Sequence, residues 1–270
     1  MTAPARTETG VRIRRTVGLA GFGALARGIV AAFAADEIEW IVLLRASSGT
    51  VLPNRVRRVE SLAELIAAHP EAVVEAAGQA AVADIAPALL EAGIPVVLAS
   101  IGALADQGIR DRLAAARQQT GAALVLPSGA IGGLDYLRAI AGLADARVRY
   151  TSRKPVAAWA GELAAHGWTV NDGETVLFEG TAEEAARRYP QNLNVALTIA
   201  LAIAPAALTV RVIADPLAPG NIHEIEAESG AGTASMRFAN APSPDNPKTS
   251  AVTALSLAAS LRGLLDNGRR

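Results

Sequence analysis

Val17-Gly18-Leu19-Ala20-Gly21-Phe22-Gly23-Ala24-Leu25-Ala26 decides the fold. An apolar run breaks at two glycines and continues as an alanine-rich helical stretch, the pattern by which a parallel strand hands a dinucleotide pyrophosphate to a helix N-terminus. Gly21 permits the tight turn, Gly23 removes the Cβ that would keep a phosphate away, and the small Ala26 lets helix and strand pack closely. Unpaired N–H groups and the positive end of the helix dipole favour the phosphate charge. The segment therefore implies a nicotinamide or flavin dinucleotide held by Gly21, Phe22, Gly23 and Ala24. A glycine turn of this kind also suits α/β proteins without a cofactor, so the elements behind it must decide.

Those elements alternate. A helix over 24–35 leads to a buried strand, Glu39-Trp40-Ile41-Val42-Leu43-Leu44, ending in Arg45. Ser61-Leu62-Ala63-Glu64 is a capping box opening the next helix. A strand at 72–76, a helix over 79–92 stopped by Gly93, a strand at 95–99, a helix over 106–119 and a strand at 122–126 follow. Strands separated by helices of this length are right-handed crossover units, so a doubly wound parallel sheet is expected, with its ligand edge beyond the carboxyl ends of the strands.

After Leu126, Pro127-Ser128-Gly129-Ala130-Ile131-Gly132-Gly133 is too glycine-rich for an element interior and marks a junction. Beyond it, segments 146–151, 175–178, 208–213 and 222–227 alternate as half-exposed strands do. Thr181-Ala182-Glu183-Glu184 starts another helix, 192–203 is a largely apolar helix ended by Pro205, 243–247 is a turn cluster, and 249–265 reads as a terminal amphipathic helix. The expected class is α/β: an N-terminal Rossmann domain over 1–130, then an α+β domain of mostly antiparallel sheet over 131–246 for substrate, catalysis and dimerisation. Helix 247–266 is expected to pack back on the first domain.

Composition excludes several functions. Of 270 residues, 51% are apolar, enough for a sizeable core, and the net charge of −1 gives no footprint for nucleic acid or an acidic membrane. Cysteine is absent, which removes thiol nucleophiles, disulfides and thiolate metal sites, and three scattered histidines offer no zinc spacing, so no metal is expected. Segment 1–10 is polar, and neither a signal-peptide core nor an apolar run of about 18 residues is present, so a cytoplasmic protein without membrane contact is expected.

Seven blocks, in order, carry a resemblance: Ala99-Ser100-Ile101-Gly102-Ala103-Leu104-Ala105-Asp106, Ser128-Gly129-Ala130-Ile131-Gly132-Gly133-Leu134-Asp135, Ser152-Arg153-Lys154-Pro155, Phe178-Glu179-Gly180-Thr181-Ala182, Tyr189-Pro190-Gln191-Asn192-Leu193-Asn194-Val195-Ala196, Asn221-Ile222-His223-Glu224-Ile225, and the run from Pro242 to Ser250. Together they resemble the L-aspartate dehydrogenase family, built on a homoserine-dehydrogenase-like two-domain plan. The resemblance implies oxidation of L-aspartate by NAD or NADP to iminosuccinate, which water converts to oxaloacetate and ammonia, in some organisms feeding NAD synthesis. It places the family's catalytic histidine on His223 and its cofactor contacts on Ala130 and Asn194. The family usually reads Tyr-Pro-Lys-Asn-Ala-Asn where this chain has Gln191 and Leu193, a departure that spares both asparagines.

The residues themselves support part of this. Removing hydride from the Cα of an amine needs a neighbour that titrates near neutrality, and alternation puts His223 on one strand face with Asn221 and Ile225. His223 is expected to activate water on the imine and to face a nicotinamide ring across a shared cleft; a strand histidine satisfied by a neighbouring hydroxyl is the plainer alternative. His69 and His166 read as surface residues. A dicarboxylate calls for cations and amides, which makes Lys154, Arg153 and Lys248 candidates, the last aided by Thr249 and Ser250 in a helical first turn; solvated surface lysines are the alternative. Arg45-Ala46-Ser47-Ser48 stands where an acid would bind a ribose 2′-hydroxyl and an arginine a 2′-phosphate, so dual NAD or NADP use is expected, although Arg45 could equally be a strand-end residue reaching solvent. Rival readings are another oxidoreductase of the homoserine-dehydrogenase or dihydrodipicolinate-reductase plan and a silent nicotinamide-binding sensor. A homodimer formed through the second sheet is expected.

Overall fold

The computed structural model describes residues 15–170, 173–189 and 194–267. In the first part β1 (Arg15–Ala20), α1 (Ala24–Ala32), β2 (Ile38–Leu43), β3 (Val56–Val59), α2 (Leu62–Ala67), β4 (Ala72–Glu75), α3 (Gln79–Glu91), β5 (Val96–Leu98), α4 (Gln107–Thr120) and β6 (Leu124–Val125) follow one another. The six strands pair in parallel in the order β3-β2-β1-β4-β5-β6. The order reverses between β1 and β4, which opens a crevice at their carboxyl ends. Val17, Leu19, Val73 and Val74 have no exposed surface, as strands covered on both faces require.

The second part comprises α5 (Leu134–Ile140), β7 (Arg147–Lys154), α6 (Ala160–His166), β8 (Thr175–Thr181), α7 (Ala182–Arg188), α8 (Asn194–Ile203), β9 (Leu208–Ala214), β10 (Asn221–Ser229), β11 (Gly232–Asn240), β12 (Pro242–Ser243), β13 (Asn246–Ser250) and α9 (Ala251–Asn267). Its main sheet runs β11-β10-β7-β9-β8, antiparallel except for the parallel β7–β9 pair. The overall class is α/β with a mixed, mostly antiparallel second sheet. One face packs Tyr150, Val210 and Ile225 against Leu137 of α5 and Ile199 of α8. The other carries cross-strand ion pairs such as Arg149–Glu226 and Arg211–Glu179. Chain direction then returns: Leu257 and Leu261 of α9 bury against the β1–β2 side of the first sheet. Gly28 permits this, because a Cβ there would come within 2.7 Å of the Ala254 methyl.

Several expectations shift. The terminal helix begins at Ala251, and Thr249 and Ser250 belong to β13, because Ser250 pairs with Pro242 across a hairpin. β3, a polar edge strand, and β11 were not anticipated. The Thr181 capping box is complete, whereas Glu64 turns its carboxylate to the Glu60 amide and the Ser61 hydroxyl instead of the Ser61 amide. Of the block from Tyr189 to Ala196, Pro190, Gln191, Asn192 and Leu193 lie outside the described residues.

Candidate active site

The β1–α1 turn is shaped by close approach. Gly21 has φ +86°, and a Cβ there would stand 2.8 Å from the Ala76 carbonyl oxygen and 2.9 Å from the Ala77 Cα, so the turn lies directly against the β4–α3 loop. At Gly23 a Cβ would meet nothing within 4 Å. Gly23 is the N-cap of α1; it supplies no side-chain cap, and the first turn contains no acid. Three features therefore suit a pyrophosphate: bare amides, a positive dipole end and open space. Phe22 buries its ring in the core, leaving only its backbone for a cofactor, and Ala24 begins the helix.

Sequence reasoning missed Glu75, the last residue of β4. Its carboxylate is fully buried. Oε1 accepts from the Ala77 and Gly78 amides at 2.9 and 3.0 Å and from Ser100 Oγ at 3.0 Å, while Oε2 accepts from the Ser100 amide at 2.9 Å. Burial raises its pKa, and these hydrogen bonds oppose the rise. One side chain thus fixes both loops at the crevice. The next loop in this series is braced from the second domain: Asn194, the first residue of α8, accepts the Gly102 amide at 2.8 Å through Oδ1. Arg45 is exposed beyond β2, and its carbonyl, with those of Ala46 and Ser48, accepts from the Arg58 guanidinium at 2.6 to 3.2 Å.

The junction loop is pinned from two sides. Gly129 donates its amide to Ser256 Oγ of α9 at 3.0 Å, and Asn240 of β11 donates to the Ala130 carbonyl at 2.8 Å. Beneath it opens a cavity of about 140 Å³. Strand alternation brings Asn221 and His223 of β10 to this cavity and Lys154 from the end of β7, all three buried. Lys154 also places its ammonium 5.1 Å from the Trp159 ring centroid. Burial, and then the nearby Lys154 charge, lower the His223 pKa from 6.5 to about 4, so the resting imidazole is neutral. Tyr150 Oη lies 2.7 Å from His223 Nδ1.

Of the residues singled out from sequence, His223, Lys154, Asn194, Ala130 and Thr249 all line this cavity, joined by Ser128, Asn221 and Ser250. Asn221 was legible from its shared strand face with His223. Gly21, Phe22, Gly23, Ala24 and Arg45 do not line it; they belong to the first sheet's own edge, and Leu25 links the two regions. Arg153 faces the opposite side of β7, where Glu174, Asp215 and Glu224 hold it, and it does not line the cavity. Lys248 lies in β13, but its side chain is outside the described residues. Thr249 reaches the cavity from a strand, so the helical first-turn amides expected around it are absent there. His69 and His166 are exposed. No helix among the described residues is long and apolar enough to cross a membrane.

Comparison with known proteins places this geometry. Residues 21–127 match the family model described as homoserine dehydrogenase, NAD binding domain, and residues 135–264 match that of aspartate dehydrogenase, C-terminal. L-aspartate dehydrogenase 2 of Bordetella bronchiseptica is 45% identical over 255 residues, covering 91% of this chain and 95% of that one. The L-aspartate dehydrogenase of Methanosarcina barkeri is 44% identical over 198 residues, covering 72% and 73%. The crystal structure of aspartate dehydrogenase from Thermotoga maritima superposes with a TM-score of 0.72 at 27% identity, covering 93% of this chain and 96% of that one. With a dinucleotide edge, a buried imidazole beside a buried ammonium and these similarities over nearly its whole length, the chain belongs to the L-aspartate dehydrogenase family.

Proposed function

We propose that this chain oxidises L-aspartate to iminosuccinate with NAD⁺ or NADP⁺, and that water then releases oxaloacetate and ammonia. The observation that carries the reading is the pairing of a neutral His223 with a buried Lys154 in one small cavity at the junction of the two sheets. Residues 1–130 with α9 hold the dinucleotide, and residues 131–246 hold the substrate. Gly21, Phe22, Gly23 and Ala24 cradle the pyrophosphate by backbone, Arg45 faces the adenosine ribose, and Ala130 and Asn194 approach the nicotinamide end. When bound, NAD(P)⁺ supplies the hydride acceptor.

Lys154 pairs with a substrate carboxylate, and Thr249, with Lys248 beside it in the chain, completes the anion-binding pocket. Two negative charges brought next to His223 favour its protonated form, so its pKa rises from about 4 towards neutrality when substrate arrives. The imidazole then takes a proton from the water that attacks the imine carbon, and returns it as ammonia leaves. The protein works in the cytoplasm as a homodimer joined through the second sheet, and its imine product is suited to pyridine nucleotide synthesis. An amino-acid panel with each cofactor, read by nicotinamide absorbance, tests the reading. Aspartate-dependent reduction supports it; NAD(P)H binding without turnover of any amino acid supports a sensor instead, and turnover of an alcohol or of another amino acid supports a different oxidoreductase on the same plan.

A further inference from the structure

Tyr150, Ser152 and Lys154 occupy alternate positions on β7 and so share one face, and β10 lays His223 directly opposite Ser152. Lys154 reaches the cavity, whereas Tyr150 and Ser152 stand behind it with no exposed surface. Tyr150 Oη is 2.7 Å from His223 Nδ1, and the two rings lie 15° from parallel. The Ser152 hydroxyl is near enough to act on the Tyr150 phenol, yet its Oγ closes no hydrogen bond of good geometry among the described residues. Phenylalanine and alanine would fill this space without an unpaired hydroxyl, which costs about 1–3 kcal/mol when buried.

Three such groups in a row admit two proton arrangements. In one, Tyr150 donates to Nδ1 and the ring proton sits on Nε2. In the other, Nδ1–H donates to Tyr150 Oη, the phenol proton turns to the idle Ser152 Oγ, and Nε2 offers a bare lone pair. We propose that Tyr150 and Ser152 are positioning residues that hold His223 in the second arrangement, presenting Nε2 as the base. This rests on the reading of His223 as the group that accepts a proton from the attacking water.

A hydroxyl suits this task better than the carboxylate that often orients a histidine, because it directs the ring without charging it. Burial pushes the Tyr150 pKa up, so the phenol keeps its proton throughout the working range. The charged group acting on His223 is Lys154; the residue paired with it on β11 is the apolar Phe238. When the water oxygen bonds to the imine carbon, its proton passes to Nε2, and Nδ1–H stays donated to Tyr150. No rearrangement of the relay is needed at that moment.

The test is ¹⁵N NMR of the imidazole nitrogens in the resting protein at neutral pH, with His223 assigned by its loss in His223→Asn, alongside steady-state kinetics of Tyr150→Phe and Ser152→Ala. The wild-type ring should show Nδ1 protonated and Nε2 bare, and Tyr150→Phe should revert to the Nε2–H form that free imidazole prefers. Tyr150→Phe should lower kcat about tenfold or more, with KM for aspartate and cofactor held within about twofold, and Ser152→Ala should lose less. Protonated Nε2 in the wild-type protein, or unchanged kcat in Tyr150→Phe, overturns the relay. A chain that turns over no aspartate would refute the proposed activity, while the tautomer comparison would still decide the role of Tyr150.

Discussion

Gly23→Val separates cofactor binding from folding. Gly23 has φ −84° and ψ −164°, extended backbone that valine adopts readily, and a Cβ there meets nothing within 4 Å. Valine is a poorer N-cap than glycine by about 0.5–1 kcal/mol, and the freedom lost by the unfolded chain offsets this by a similar amount, so stability should hold within about 1 kcal/mol. The isopropyl group instead fills the space before the bare α1 amides. Losing one charge-assisted hydrogen bond to a phosphate forfeits about 1.5–3 kcal/mol, which weakens NAD(P)H binding by about tenfold to a hundredfold. Gly21→Ala is the contrasting control: φ +86° and contacts of 2.8 and 2.9 Å against the β4–α3 loop make it a folding variant. Fluorescence titration with NADH and NADPH, run beside urea denaturation, reads both quantities. An unchanged Kd in Gly23→Val, or a stability loss matching that of Gly21→Ala, would contradict the role of Gly23 as open space for a phosphate.

Glu75→Gln puts an NH₂ where the carboxylate receives only donors, so thermal denaturation should report a loss of about 1–3 kcal/mol with cofactor affinity falling too. Asn194→Ala frees the Gly102 amide and should raise the cofactor KM severalfold while urea denaturation reports a change of only about 1 kcal/mol. Arg45→Glu should shift the ratio of kcat/KM values away from NADP⁺; a wild-type enzyme strongly selective for NAD⁺ would dismiss the 2′-phosphate role of Arg45. His223 also sets an acid lability: its native pKa of about 4 lies below the usual 6.5, so the unfolded chain takes up the proton first. The stability this confers is complete above pH 6.5 and is lost as pH falls to about 4, roughly 3 kcal/mol in all, and the difference in unfolding free energy between wild type and His223→Asn, from urea denaturation, should change by that amount over the same window.

The parallel sheet was legible because buried strands such as 72–75 are short apolar runs set between helices with clear caps and stops. β3 was not, since Arg57 and Arg58 break its apolar pattern at a sheet edge, and β11 was not, since Gly232, Thr233 and Ser235 give it little hydrophobic contrast. The strand at 249–250 was mistaken for a helix start because Thr and Ser are cap residues locally, and only pairing with Pro242 overrules that. Within the site, His223, Asn194 and Ala130 were reached through resemblance, and Asn221 through alternation. Tyr150 and Glu75 stayed hidden: a tyrosine 73 positions from its histidine needs the β7–β10 register, and a lone Glu at a strand end gives no sign that two loops will close over it.

In the proposed reaction the imidazole of the second sheet acts on a substrate held beside the nicotinamide of the first. Steady-state turnover of aspartate by His223→Ala, measured with the NAD(P)H dissociation constant on the same preparation, addresses this role most directly. Loss of about a hundredfold or more in kcat with Kd within about twofold of wild type is the predicted result; aspartate turnover at the wild-type rate would contradict it.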